Sequence, residues 1–259
     1  MNTSTAPFDP VALASRLAQA FAQGSRIPAA QVFVADSAQA YAVQNAWVDQ
    51  VLRRGGAVGG WKVGATNNET EPNAAPLPKA CLHPSGEPLG TPEAALRGVE
   101  LELAVRLKAD LLPGDRLPSR EEIAAAIGEV LPVVEILNSR LVETLKSPPA
   151  TKLADLGNHG ALVLGAPASG IDPLTLDLTR LHTRLSVAGQ EVVNVIGGHT
   201  APDLWRLLAW LARHAQARGL PLRAGQVITT GSCTGLVIAE PGSLIEGELT
   251  GIGQVSLRV

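Results

Sequence analysis

The chain has 259 residues, of which 46% are hydrophobic and 17% charged, enough for one or two domains with a large buried core. A net charge of −3 excludes the basic surface that recruits nucleic acid or an anionic membrane. No apolar run approaches the roughly 20 residues of a membrane span, and residues 1–10 lack signal-peptide features. The distant cysteines Cys81 and Cys233 disfavour a disulfide framework. We expect a cytoplasmic globular protein.

Two helices are predicted at the start of the chain. Asp9 and Pro10 fit an N-cap and first helical position, and Gly24 follows as a stop. A second helix is predicted from Ser37 to the glycine pair at 55–56. Residues 59–98 are rich in proline and glycine, which predicts one short strand at 61–63 followed by loops.

The remaining chain predicts a β-rich unit. Residues 99–107 alternate between apolar and other side chains, as in a strand, and residues 130–137 form an apolar, β-branched run. A capping-box pattern at Ser119 and Glu122 predicts a short helix ending at Gly128. A further strand is predicted at 161–164. A long helix is predicted from residues 200–203 to Gly219.

Short strands are predicted at 226–230, 236–239, 243–249 and 254–259, divided by glycine and proline turns. Such a run of short strands favours a twisted β-roll or barrel-like sheet over a doubly wound fold. The sequence therefore predicts an α+β protein.

The first candidate site residues are Glu100 and Glu102. They project from one face of the predicted strand, one pleat apart, and could share a cation. A solvated strand face produces the same pattern often. Glu135 is more informative because nearly all its neighbours are apolar, and a buried carboxylate must be neutralised, paired or metal-bound. Spacing alone leaves two possibilities: a site for Mg²⁺ or Mn²⁺, or a salt bridge to Arg140 or Arg106.

Lys62 lies between Trp61 and Val63. A lysine in such surroundings can lose its charge and act as an acid or base, although an edge-strand surface lysine fits the local sequence better. The turn at residues 229–232 can present N–H groups and hydroxyls to an anion, or be an ordinary turn. His159, in a glycine-flanked loop, is interpreted as a surface histidine.

Taken in order, several segments resemble the 2-keto-4-pentenoate hydratase and 4-oxalocrotonate decarboxylase group of the fumarylacetoacetate hydrolase superfamily. They are GWKVGAT at 60–66, GVELELA at 98–104, VEILNSR at 134–140, LAD at 153–155, VLG at 163–165, WLA at 210–212, LRAG at 222–225, ITTGS at 228–232 and PG at 241–242. The resemblance implies a fumarylacetoacetate hydrolase-like mixed β-roll at residues 59–259, with an N-terminal helical region at 1–58 packed on it.

The resemblance also implies roles for individual residues. Metal ligands would be Glu100, Glu102 and Glu135, with Mg²⁺ or Mn²⁺ bound. Catalytic residues would be Lys62 and Asp155, the latter in a substrate-side loop. Substrate-binding residues would be Arg140, Thr230 and Ser232.

Two departures concern the reaction. The stretch between Lys62 and Glu100 is short, and no second catalytic carboxylate is evident there; Glu87 is a distant possibility. The loop after Asp155 also differs from the family pattern. The resemblance implies a hydratase that adds water to a 2-hydroxyalka-2,4-dienoate in aromatic catabolism. A 2-oxo-enedioate decarboxylase, an acylpyruvate C–C hydrolase and a non-catalytic partner subunit are the alternatives. The partners expected are a small 2-keto or 2-enol acid, further copies of the chain in a homo-oligomer, and a pathway enzyme.

Overall fold

The structure is a computed structural model that describes residues 8–90 and 98–259. The described chain contains five α-helices and twelve strands. The helices are α1 (Pro10–Gln23), α2 (Ser37–Arg53), α3 (Arg120–Ala126), α4 (Pro149–Ala154) and α5 (Leu204–Ala217). The strands are β1 (Val58–Gly64), β2 (Asn73–Pro78), β3 (Leu82–Pro84), β4 (Gly98–Leu107), β5 (Ile127–Leu137), β6 (His159–Leu164), β7 (His182–Val187), β8 (Gln190–Ile196), β9 (Val227–Ser232), β10 (Val237–Ile238), β11 (Leu244–Leu249) and β12 (Gly253–Arg258).

The helix boundaries follow from capping. The side chain of Asp9 accepts two backbone N–H bonds at the start of α1, and Gly24 ends the helix in the left-handed region, with φ of 60°. Ser119 and Glu122 form the predicted capping box of α3. Asp203 caps α5. The predicted starts of the helices are confirmed. The capped helix ends earlier than predicted, because β5 begins at Ile127.

The strands form two sheets. The larger sheet is mixed, in the order β2-β1-β9-β4-β5-β6-β3, with β10 also paired to β4. The smaller sheet is antiparallel, in the order β12-β11-β7-β8. Strands β11 and β12 pack across β5, and Gly247 of β11 lies close against Leu101 of β4. A Cβ at Gly247 would lie 2.7 Å from Cδ1 of Leu101. The predicted α+β class, with N-terminal helices and a mixed β-roll, is confirmed.

The strand predictions were incomplete in two places. The segment predicted as loops after residue 63 contains β2 and β3. These strands are proline-rich or very short, and pairing with β1 and β6 specifies them more than their own residue pattern does. The hairpin of β7 and β8 was not predicted either. It turns at Ala188 and Gly189, both with positive φ.

The described residues form three buried apolar clusters, and one of them belongs to the N-terminal helices. The main core lies between the two sheets and under α5, which contributes Leu204, Leu207 and Leu211. The second core joins α1 and α2 to β2 and α4, and includes Ala75 and Leu153. The division of the chain at residue 58 stays a prediction. Among the residues described, no helix has the length and apolar character needed to cross a membrane.

Candidate active site

Three carboxylates meet on one face of the large sheet. Glu100 and Glu135 are register partners across the antiparallel pair of β4 and β5, and Glu102 lies one pleat further along β4. One carboxylate oxygen from each residue lies within 4.8 Å of the others. Glu135 is fully buried and Glu102 is 2% exposed. The expected convergence of the three side chains is observed, while their role as metal ligands stays a prediction.

Lys62 reaches this cluster from β1. Its Nζ lies 2.7 Å from both carboxylate oxygens of Glu135 and 3.2 Å from the carbonyl oxygen of Gly157. Strands β9 and β4 separate β1 from β5, a width of roughly 14 Å at the usual strand spacing, so the sheet must curl around this face. The neighbouring Trp61 and Val63 are buried on the opposite side, as their alternation predicted.

Lys62 is therefore not the edge-strand surface lysine that its local sequence favoured, because β1 lies between β2 and β9. The alternative of a salt bridge from Glu135 to Arg140 or Arg106 is also contradicted. Glu135 pairs with Lys62, whereas Arg106 pairs with Glu129 and Arg140 with Asp155.

The charges of the cluster partly balance. Burial opposes the charge of Lys62, but Glu135, Glu102 and Glu100 outweigh it and raise the pKa of the lysine above its ordinary value. The lysine is therefore an ammonium. Burial, followed by the nearby Glu135 and Glu100, raises the pKa of Glu102 to about 8. Burial also raises the pKa of Glu100. Lys62 and His159 overcome burial and hold the pKa of Glu135 below its ordinary value. One ammonium cannot neutralise three ionised carboxylates, and the raised pKa values of Glu102 and Glu100 reflect this.

The end of β9 holds Glu102 of β4 by hydrogen bonds. The hydroxyl of Thr229 and the N–H of Gly231 both donate to Oε2 of Glu102, the latter at 2.9 Å. Against the larger effect of burial, the nearby hydroxyl of Ser232 acts to lower the pKa of Glu100, which places this predicted residue beside the cluster. The hydroxyl of Thr230 instead donates to the carbonyl oxygen of Leu103 at 2.9 Å, in a fully buried position. Of the two predicted hydroxyls, that of Ser232 lies beside the cluster.

His159 is 1% exposed, so its interpretation as a surface histidine was wrong. Its Nδ1 lies 2.9 Å from Oε1 of Glu135. Burial lowers the pKa of His159, so the ring is neutral and Nδ1 donates to the carboxylate. Nε2 is then an acceptor, and it has no hydrogen-bond partner among the described residues. The neighbouring glycines suggested a loop, but residue 159 begins β6 and points inward.

Arg140 and Asp155 form a separate buried ion pair. Nε of Arg140 lies 2.5 Å from Oδ1 of Asp155, and both side chains are almost wholly buried. The guanidinium also donates to the carbonyl oxygens of Asp155, His159 and Asn138. The hydroxyl of Ser139 donates to Oδ2 of Asp155 at 2.7 Å. These bonds connect the pair to the backbone of His159, whose imidazole ring in turn contacts Glu135.

Sequence reasoning assigned no role to His199 and placed His159 on the surface. Thr229 was considered only as part of the turn at residues 229–232, and the structure shows it to be the register partner of Lys62 on β9. Glu87, considered as a second catalytic carboxylate, is exposed and follows β3 near the end of β12. It is not part of the carboxylate cluster.

The donor set fits a hard divalent cation. Mg²⁺ prefers oxygen ligands at about 2.0–2.1 Å, so ligand oxygens on opposite sides of the ion lie about 4 Å apart. The observed spread of up to 4.8 Å needs only small side-chain shifts to reach that geometry. A cation there would also supply the positive charge that a single lysine does not. The surplus negative charge and the oxygen donors therefore agree in fitting a hard divalent cation.

Known proteins are similar to this chain in sequence and in fold. The C-terminal family of fumarylacetoacetate (FAA) hydrolases matches residues 45–259. The 2-keto-4-pentenoate hydratase of Paraburkholderia xenovorans (strain LB400) is 29% identical over 224 residues, covering 83% of this chain and 81% of that protein. The 2-hydroxyhexa-2,4-dienoate hydratase of Comamonas testosteroni is 34% identical over 160 residues, covering 61% of this chain and 58% of that protein.

One solved structure matches nearly the whole chain. The 4-oxalocrotonate decarboxylase from Pseudomonas putida G7, complexed with magnesium and adipate, has a TM-score of 0.83 at 27% identity, with 99% of both chains covered. A second structure of that enzyme, complexed with calcium and acetate, has a TM-score of 0.81.

Proposed function

The chain belongs to the fumarylacetoacetate hydrolase family, and on this premise we propose that it is a divalent-metal-dependent hydratase of 2-hydroxyalka-2,4-dienoates. The product would be a 4-hydroxy-2-oxo acid, formed during aromatic catabolism. The observation that carries the proposal is the cluster of three carboxylates beside a charged lysine. Relatives named as hydratases of 2-keto-4-pentenoate and 2-hydroxyhexa-2,4-dienoate support the substrate class.

Glu100, Glu102 and Glu135 would hold Mg²⁺ or Mn²⁺. The bound cation would polarise the 2-oxygen of the substrate and attract its carboxylate. The Oε2 oxygen of Glu102 is oriented by two donors from β9, so this ligand would be placed before the ion arrives.

Lys62 would be the main proton-transfer residue. Hydration requires loss of the enol proton with protonation at carbon 5, and then addition of the hydroxyl of water at carbon 4 with protonation at carbon 3. Because the surrounding carboxylates keep Lys62 protonated, it is prepared to donate a proton first and accept one later. Ser232, half-buried beside Glu100, would donate to the substrate carboxylate together with backbone N–H groups of its turn.

For Arg140 and Asp155 the geometry supports an indirect role. Each is committed to the other in the buried pair, and Arg140 also binds the carbonyl oxygen of His159. We propose that this pair positions the histidine that donates to Glu135, and that neither residue contacts the substrate. The proposal departs from the catalytic role for Asp155 and the substrate-binding role for Arg140 that the family resemblance implies.

The test is an assay of the purified protein on 2-hydroxypenta-2,4-dienoate, with EDTA, Mg²⁺ or Mn²⁺. The proposal is supported if the dienoate absorbance disappears only when the metal is present and the 4-hydroxy-2-oxo acid is formed. No turnover with either metal, or equal turnover in EDTA, would contradict it.

Decarboxylation of a 2-oxo-enedioate is the second candidate. The observation that favours it is the match over 99% of both chains with 4-oxalocrotonate decarboxylase. Measuring CO₂ release from 4-oxalocrotonate in the same assay distinguishes the two reactions. We also propose a homo-oligomer, which light scattering at micromolar concentration tests.

A further inference from the structure

His199 is a buried histidine close to the cluster that makes no contact with a carboxylate. It is 5% exposed and lies just before α5. The N–H of Ala201 donates to its Nδ1 at 3.1 Å, and its Nε2 lies 2.8 Å from the carbonyl oxygen of Thr230. Because Nδ1 accepts a bond and a carbonyl can only accept, Nε2 carries the hydrogen. The backbone therefore fixes both the tautomer and the ring orientation.

The carbonyl that His199 contacts belongs to the peptide that serves Glu102. The C=O of Thr230 and the N–H of Gly231 are two ends of one planar peptide group. That N–H donates to Oε2 of Glu102 at 2.9 Å. A donor on the carbonyl therefore fixes the direction of the N–H and, by polarising the peptide, strengthens the bond that it makes.

We propose that His199 is a positioning residue for Glu102, acting through the Thr230–Gly231 peptide and thereby tuning the affinity of the carboxylate cluster for a divalent cation. The inference rests on the proposed function for the role of Glu102 as a ligand. His199 would connect the start of α5 to the cluster without touching cation or substrate.

The segments on both sides of the Thr230–Gly231 peptide are closely packed, and His199 is part of that packing. A Cβ at Gly231, where φ is +104°, would lie 3.3 Å from Nε2 of the histidine, so the ring packs closely against this glycine. A Cβ at Gly198 would lie 2.3 Å from the carbonyl oxygen of Cys233, so the histidine segment packs directly on the chain after β9. The hydroxyl bond of Thr230 to Leu103 anchors the same residue to β4. These contacts hold the turn in place, while the imidazole sets the tilt of the peptide.

The test compares variants that keep or lose the donor at Nε2. His199→Gln keeps an N–H near that position, whereas His199→Asn is too short and His199→Ala has none. Mn²⁺ affinity is measured by titration calorimetry on the full chain. Outer hydrogen-bond partners of metal ligands are typically worth 10–100-fold in affinity, and we expect a loss of about that size for the Asn and Ala variants. His199→Gln should stay within about threefold of the wild type. His182→Ala, which removes a histidine bonded to Asn194 on the smaller sheet, is the control.

A second measurement needs no metal. In protein labelled with ¹⁵N-glycine, the amide proton of Gly231 should move upfield in His199→Asn and return in His199→Gln, because its bond to Glu102 weakens and recovers. If His199→Ala fails to fold, the Asn and Gln variants decide. If the wild-type protein does not bind Mn²⁺, the proposed function is contradicted. The amide shift of Gly231 would still test whether His199 acts on Glu102 through the peptide. Unchanged Mn²⁺ affinity in His199→Asn, or an unmoved amide of Gly231, would overturn the inference.

Discussion

Replacing Lys62 by methionine removes the positive charge facing the carboxylate cluster while keeping a side chain of similar length. The ammonium lies 2.7 Å from each oxygen of Glu135, and the charges of Glu102 and Glu100 also act on it. In the metal-free variant, three carboxylates share a buried face without that opposite charge. We therefore expect the metal-free variant to unfold more easily than the wild type.

The expected loss in the free energy of unfolding has a typical size and an upper limit. Removing one partner of a buried ion pair typically lowers the free energy of unfolding by about 3–5 kcal/mol. The loss has an upper limit, because Glu135 can instead take up a proton and lose its charge. Protonating a carboxyl with an ordinary pKa of 4.5 at pH 8 costs about 1.4 kcal/mol per pH unit, or about 5 kcal/mol in all. At about 2–4 °C per kcal/mol for a chain of this size, Tm should fall by roughly 6–20 °C.

The assay is urea unfolding at pH 8, first in EDTA and then in excess MgCl₂ at matched ionic strength. Mg²⁺ should stabilise Lys62→Met more than the wild type, since the cation replaces the missing charge without competing with an ammonium. Turnover at saturating Mg²⁺ should still fall by about 10²–10⁴-fold, because the proton donor remains absent. Lys108→Met, at an exposed lysine, is the matched control. A loss in EDTA below about 1 kcal/mol, the value of an exposed pair, or a loss that Mg²⁺ leaves unchanged, would refute the reasoning.

Three further predictions concern stability. Asp155→Ala should lower the free energy of unfolding by about 3–5 kcal/mol, because Arg140 stays buried without its carboxylate; adding Arg140→Met should cause less than an additive loss in urea melts. Burial lowers the pKa of His214 to about 4, so the folded state prefers the neutral ring. The contribution of this neutral ring to the free energy of unfolding is complete above about pH 6.5 and should be lost as pH falls towards 4. The loss should be at most about 3 kcal/mol, and less because the ring is partly exposed to solvent. His214→Gln should flatten this part of the stability–pH curve. Gly247→Ala should cost about 1–3 kcal/mol by crowding Leu101, and Leu101→Val should relieve part of that loss in thermal melts.

Several elements were specified by the sequence at short range. The caps Asp9 and Ser119 predicted where two helices begin, because a capping side chain bonds to N–H groups two or three residues away. The alternation along β4 placed Glu100 and Glu102 on one face, because the strand period is a local property of the backbone. The ordered family segments then identified the fold, although no single segment would have done so.

The tertiary structure decided which charged groups meet. Sequence alone offered Arg140 or Arg106 as partners of Glu135, but Lys62, 73 residues away, makes the contact. Curling of the sheet brings β1 over β5, and that curl depends on the pairing of strands far apart in the chain. His159 illustrates the same limit, since its glycine neighbours suggested a loop whereas the start of β6 buries the ring against Glu135. Local propensity acts over a few residues, whereas burial, pKa and charge pairing depend on which distant strands pack together, and so only the folded chain determined them.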